Sequence, residues 1–146
     1  MDNSIKFYST IGKYGPFSNF SRHPITIDNI VYPTSEHYYQ SKKFEGTKYE
    51  KIVIQATSPS EAAKLGRRRD WPIKQNWEEI KEEVMMVALK TKFTQHNNLK
   101  QLLISTNDKI LIEHTVKDHY WADGGNGTGK NRLGALLMQL RTELKG

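Results

Sequence analysis

Ile25-Thr26-Ile27-Asp28-Asn29-Ile30-Val31-Tyr32-Pro33-Thr34-Ser35-Glu36-His37-Tyr38-Tyr39-Gln40-Ser41-Lys42-Lys43-Phe44-Glu45-Gly46 passes from strand to helix within one short span. Two β-rich triplets, 25–27 and 30–32, flank Asp28-Asn29, a two-residue hairpin signal. Pro33-Thr34-Ser35 then opens a helix expected to run to about Glu45, with Gly46 as its stop. Upstream, Ile5 to Tyr8 reads as a first strand, followed by a Gly/Pro/Ser-rich loop over 12–21. Downstream, a short helix is expected over Tyr49 to Gln55. Ser58-Pro59-Ser60-Glu61 is a capping box with proline at the first helical position, so a further helix runs to about Leu65 and Gly66 ends it. Asn76-Trp77-Glu78-Glu79 begins the longest helix, to about Thr94. Its apolar residues Ile80, Val84, Met85 or Leu89, and Val87 or Ala88 recur at helical spacing. Leu99 to Ile104 continues as helix, Lys109 to His114 as strand, and Asn131 to Leu144 as the last helix. Strands first and helices after predict an α+β fold, a small sheet wrapped by several helices.

The 146 residues read as one domain, 1–146, large enough to bury a core without staples. With no cysteine, disulfides and thiolate metal sites are ruled out. No apolar N-terminal signal region or span of ~20 apolar residues is present, so a soluble, cytoplasmic protein is expected with no membrane partner. The net charge of +6 points to an anionic partner, or else to a solvated basic surface. Arg67-Arg68-Arg69 is too short to be a nucleic-acid signature by itself.

The densest motif is Asp118-His119-Tyr120-Trp121-Ala122-Asp123-Gly124-Gly125-Asn126-Gly127-Thr128-Gly129-Lys130-Asn131-Arg132-Leu133-Gly134. Glycine-rich loops that open helices let backbone approach anions closely. Gly124 and Gly129-Lys130 have Walker A spacing, but Asn131 stands where Ser or Thr must bind magnesium. The dinucleotide fingerprint fails on spacing and on its βαβ context. What survives is a flexible loop whose amides face a ligand, with Tyr120 and Trp121 as stacking surfaces.

Glu36, Gln40 and Lys43 lie at i, i+4 and i+7, so all three project from one helix face. They are read either as a polar site or as a solvated face with a charge pair. Phe17 and Phe20, in a loop flanked by glycine and proline, suggest a binding edge, whereas Trp77 reads either as a binding residue or as packing at the start of the long helix. His37 beside Glu36 and His119 beside Asp118 are acid/base candidates against a structural role. The five histidines lack metal-ligand spacing, and neither HExxH nor GxSxG occurs, so no metal and no cofactor is expected.

Taken together these segments resemble the NADAR superfamily, and within it the YbiA-like N-glycosidases. The resemblance runs over nearly the whole chain: Phe7-Tyr8-Ser9, Phe17-Ser18-Asn19-Phe20, Pro33 to Tyr38, Gln40, Lys43-Phe44, Gly66-Arg67, Asn76-Trp77, Lys92-Phe93, Glu113-His114-Thr115, Asp118, Tyr120-Trp121, Asp123-Gly124-Gly125, and Gly127 to Arg141. Ala122 departs from the pattern, which usually has glycine after the tryptophan; alanine is strained there if that backbone needs a positive φ.

The resemblance implies hydrolysis of N-glycosidic bonds of ribose derivatives. The substrate would be a phosphorylated ribosylamino-pyrimidine intermediate of riboflavin synthesis, or ADP-ribose linked to guanine in nucleic acid. No obligate protein partner is implied. Cleaving a ribosyl C–N bond builds positive charge on the sugar and negative charge on the leaving base. Glu36 is expected to stabilise the sugar cation or activate water. Lys43 would neutralise the leaving group or phosphate, or capture the opened sugar as a Schiff base. Asp118 or Asp123 would orient water or ribose hydroxyls, and Phe17 and Trp121 would sandwich the base. Gly125, Gly127 and Gly129 would hold phosphate through amides, with Asn131 reading the ribose. Ser18, Asn19, Gln40 and Trp77 complete the expected substrate contacts. The competing reading is a non-catalytic module that binds ADP-ribose or nucleic acid.

Overall fold

The computed structural model describes residues 3–146. In chain order its elements are β1 (Ser4–Phe7), β2 (Ile25–Ile27), β3 (Ile30–Tyr32), α1 (Ser35–Lys42), α2 (Lys48–Ile54), α3 (Pro59–Gly66), α4 (Trp77–Gln95), α5 (Asn97–Ser105), β4 (Ile110–Glu113) and α6 (Arg132–Lys145). A 3-10 turn, Gly15–Phe17, follows β1. The fold is α+β, with its strands paired as two two-stranded sheets rather than joined in one. The elements fall into two compact units, Asn19–Gln95 and a two-segment unit of residues up to Ser18 with His96–Gly146.

In the Asn19–Gln95 unit the hairpin forms in the expected register, Ile25 opposite Tyr32 and Ile27 opposite Ile30. Asp28 (φ 53) and Asn29 (φ 66) both take left-handed backbone, as a type I′ turn requires. Thr34 caps α1, its Oγ1 accepting the His37 amide at 3.1 Å. The helix stops at Lys42, short of Glu45, because the chain tightens into 3-10 bonds such as Lys43 amide to Gln40 carbonyl. Ser58 Oγ accepts the Glu61 amide at 3.0 Å, so the start of α3 is capped as its sequence indicates.

Helix α1 packs against α2, α3 and α4. One apolar cluster joins Ile25, Tyr32, Tyr38 and Ala88; a second joins Phe44, Val53 and Ala62 under Tyr49 and Trp71, whose rings stack at 4.4 Å. On α4 the buried face is Met85, Ala88, Leu89 and Phe93, while Val87 points outward.

In the two-segment unit β1 and β4 pair in parallel, Ile5 beside Leu111 and Lys6 beside Ile112. Ile5, Phe7 and Leu111 are buried, whereas Lys6 and Ile110 are exposed. On α6, Leu133, Leu136, Leu137 and Leu140 recur at helical spacing and are all buried. Arg141, also buried, donates to Thr106 Oγ1 at 2.9 Å and to the Lys109 carbonyl at 2.8 Å, pinning α6 to the turn between α5 and β4. Among the described residues no helix is long and apolar enough to cross a membrane.

Lys92 on α4 is fully buried, and desolvation pushes its ammonium down to about 7. Between that value and the ordinary lysine value of about 10.4, the unfolded chain holds a proton that the folded chain has released, so stability rises with pH. Urea unfolding midpoints should therefore climb from pH 7 to pH 9.5. In Lys92→Met the climb should be markedly smaller.

Candidate active site

Helix α1 is polar in sequence yet buried from Ser35 to Ser41. Such a helix survives only if its side chains find partners. Ser35 Oγ donates to Asn19 Oδ1 at 2.7 Å, and the Glu36 amide donates to the Asn19 carbonyl at 3.2 Å. The His37 ring bonds Thr34 Oγ1 at 2.8 Å and the Ala56 carbonyl at 3.0 Å. A carbonyl only accepts, so Nε2 carries the proton and Nδ1 accepts from Thr34. Desolvation lowers the His37 pKa below its ordinary value, consistent with a neutral structural ring rather than an acid/base catalyst.

The expected row of Glu36, Gln40 and Lys43 is present on this helix, and it is largely withdrawn from solvent, not a solvated face. Glu36 and Gln40 are each 8% exposed, and Gln40 Nε2 donates to Glu36 Oε2 at 2.8 Å. Gln40 Oε1 is buried without a hydrogen-bond partner among the described residues. Lys43 Nζ donates to the Gly66 carbonyl at 3.1 Å and sits 5.9 Å from the Tyr39 ring centre. Trp77, 5% exposed, packs on that same Tyr39 ring at 5.1 Å. Trp77 thus walls this face and also starts α4.

The neighbouring lysines 42 and 43 are driven in opposite directions. Burial would lower Lys42, but its 3.0 Å bond to Glu50 and the Glu50 charge outweigh it and hold the ammonium above the ordinary range. For Lys43, desolvation outweighs the attraction of Glu36, and its pKa lies below the ordinary lysine value. A lysine shifted this way is a better proton donor as ammonium and a more available nucleophile as amine.

In the two-segment unit the glycine motif is a backbone ladder, not a loose cradle. Every carbonyl from Asp118 to Asp123 accepts an amide from the segment that follows: Gly124 on Asp118, Lys130 on His119, Arg132 on Tyr120, Leu133 on Trp121, Asn131 on Ala122 and Gly129 on Asp123. The ladder leaves out Gly125 to Thr128, of which Asn126, Gly127 and Thr128 are exposed. Gly129 is needed for close approach, since an added β-carbon would strike the backbone of Ala122 and Asp123. The expectation that amides across Gly125–Gly129 face a phosphate is corrected accordingly, because the Gly125 and Gly129 amides are already bonded, Gly125 to Asp123 Oδ1 at 2.8 Å. Ala122 is fully buried and is not a positive-φ residue, so its departure from glycine carries no backbone strain.

Other expected contacts take structural places. Phe17 is fully buried, edge-on to Phe7 at 5.7 Å, so its ring is not offered to a base. Asn131 sits at φ 49, and its side chain bridges to β4, accepting from the Glu113 amide at 3.0 Å and donating to the Leu111 carbonyl at 2.9 Å. One bond at each end of its amide ties it to β4, and it also lines the cleft beside Asp123. Asp118 Oδ1 accepts the Tyr120 and Trp121 amides at 2.8 and 2.7 Å, which shapes the aromatic turn. Ser18 and Asn19 are buried, and Asn19 serves as the anchor of α1. Trp121 stays half-buried, with Tyr120 edge-on at 4.9 Å.

A pairing not foreseen from the sequence is His114 with Asp123, 2.8 Å between Nδ1 and Oδ2. Burial pushes the Asp123 carboxyl up, but bonds from His114 and from the Gly125 and Thr115 amides outweigh it and hold it below the ordinary value. The pair lines a cleft of about 470 Å³ with Lys6, Ile112, Gly127 and Gly129. Nine residues separate the partners, and no local motif links them. Gly66 and Tyr39 were equally unmarked as site residues. Among the described residues no group of three or more His, Cys, Asp or Glu side chains is arranged to hold a metal ion.

The NADAR domain model matches residues 6–145. N-glycosidase YbiA of Escherichia coli K12 is 52% identical over 143 residues, covering 98% of this chain and 89% of YbiA. The NMR structure of E. coli YbiA superposes with a TM-score of 0.91 at 51% identity, covering 99% of this chain and 87% of that one. The chloroplastic riboflavin biosynthesis protein PYRR of Zea mays is 42% identical over 159 residues; the match takes in 99% of this chain but 26% of PYRR.

The bridge from Asn131 to β4 makes a stability prediction. Asn131→Ala strands the two β4 backbone groups and strains a left-handed backbone, and should cost about 2–4 kcal/mol in urea unfolding. Asn131→Gly loses the same bonds without the strain and should cost about 1 kcal/mol less.

Proposed function

The chain belongs to the NADAR family, and from that premise we propose that it is an N-glycosyl hydrolase acting on a ribosylated base that carries phosphate. A ribosylamino-pyrimidine intermediate of riboflavin synthesis is the favoured substrate class, ahead of ADP-ribose linked to guanine. The name of the maize relative supports that preference. We further propose that 1–146 acts as one functional domain, a reading supported by the family match across 6–145.

One observation carries the chemistry: α1 holds a buried carboxylate fixed by an amide, and its C-cap residue is a partly buried, desolvated lysine two turns on. In the reaction the C1–N bond breaks and water supplies hydroxide to C1 and a proton to the base. Glu36 stabilises the positive charge on the sugar and takes the proton from the attacking water. Lys43 as ammonium donates to the departing nitrogen, and as amine it can condense with the aldehyde of an opened sugar. Low dielectric around both groups strengthens each interaction. Asp118 then acts as a positioning residue for the Trp121 turn.

The test is hydrolysis of a ribosylamino-pyrimidine phosphate and of ADP-ribosylated guanine DNA, followed by release of free base. Wild type should cleave the first faster, and EDTA should leave the rate intact. Glu36→Gln and Lys43→Met should each lower kcat by about 10²- to 10⁴-fold while remaining folded. Faster cleavage of the guanine adduct would move the substrate class. Binding of ADP-ribose without cleavage of either substrate would replace the enzyme with a binding module.

A further inference from the structure

We propose that Gly66 is a positioning residue for the α1 face: its missing side chain seats the Gln40 amide that holds Glu36, and its carbonyl holds Lys43. The inference rests on Glu36 and Lys43 being the reacting groups.

Gly66 does not serve the backbone. It is the last residue of α3, its φ is not positive, and the helix continues its bonding past it, Arg67 amide to Lys64 carbonyl. A helix-stopping glycine sits beyond the helix end in left-handed conformation. Gly66 instead provides space. A β-carbon at this position would fall on Gln40 Oε1, with the side chain's Cδ and Cγ directly behind.

Gln40 has little freedom to move aside. It is 8% exposed, and its Nε2 is donated to Glu36 at 2.8 Å. Turning Oε1 away from residue 66 turns Nε2 away from Glu36. Flipping the amide would set two acceptors against each other. The orphaned Oε1 lies where a β-carbon on residue 66 would sit, in the space that glycine leaves open. The same residue's carbonyl accepts Lys43 Nζ at 3.1 Å. A shift of α3 large enough to admit a methyl group therefore disturbs carboxylate and amine together.

The experiment is a double-mutant cycle of Gly66→Ala and Gln40→Ala, read as kcat/KM for base release, with the Lys43 ammonium titrated by NMR in ligand-free protein. Each single substitution should lower kcat/KM by about tenfold or more, mainly through kcat. The double variant should be no slower than Gln40→Ala, because removing the Gln40 amide vacates the space that the new β-carbon needs. In Gly66→Ala the Lys43 titration should move up toward the ordinary lysine value as water reaches it. Losses that multiply in the double variant, or a Gly66→Ala protein with unchanged rate and unchanged Lys43 titration, overturn the proposal. Should Gly66→Ala fail to fold, the double variant has the needed room and is compared with Gln40→Ala alone. Full activity in Glu36→Gln and Lys43→Met, with the Lys43 titration still moved by Gly66→Ala, would sink the catalytic reading and leave the positioning geometry standing.

Discussion

Helix α1 is a polar helix placed where helices are usually apolar, and the Asn19–Gln95 unit is organised around satisfying it. Ser-Glu-His-Tyr-Tyr-Gln-Ser offers little apolar surface, so burial by α2, α3 and α4 is tolerable only because Thr34, Asn19, the Ala56 carbonyl and internal pairs meet its polar groups. The two tyrosines supply the packing, Tyr38 into the Tyr32 cluster and Tyr39 against Trp77. What the arrangement achieves is a carboxylate and an amine held in low dielectric at fixed geometry. Buried unlike charges of this kind are seldom gains in stability. They are suited to stabilising charge that develops in a transition state.

The glycine motif follows a different logic. Its residues act mainly through backbone, each carbonyl of 118–123 taking an amide from 124–133, with Asp118, Asp123 and Asn131 using their side chains to hold the turns and the strand edge. Glycine density here reflects close backbone packing more than readiness to bind an anion. The His114–Asp123 pair and its cleft are what the ladder presents outward.

Local chemistry was legible in the sequence. The Asp28-Asn29 turn, the Thr34 and Ser58 caps and the leucine spacing of α6 each depend on residues within one or two turns of each other. The i, i+4, i+7 row on α1 was legible for the same reason. Contacts between distant segments were not. The parallel pairing of β1 with β4 joins strands about a hundred residues apart, and Phe17 looked like a loop aromatic because its partner Phe7 lies across a turn. Asn131 looked available because nothing in its own neighbourhood shows that β4 needs a bridging amide. Lys42 and Lys43 are identical in type and adjacent, yet Lys42 is paired with Glu50, eight residues on, and with Glu45, while Lys43 is desolvated. Gly66 is the last residue of α3, as its spacing suggests, but the space it leaves for Gln40 depends on a distant segment and could not be read from spacing.

The most direct measurement is a crystal structure of Glu36→Gln with an uncleaved phosphorylated ribosylamino-pyrimidine. The anomeric carbon of the ribose should lie against the α1 face, within about 3.5 Å of the substituted side chain or of a water it holds. A ribose whose anomeric carbon lies in the cleft by His114 and Asp123, with no contact to α1, would contradict it.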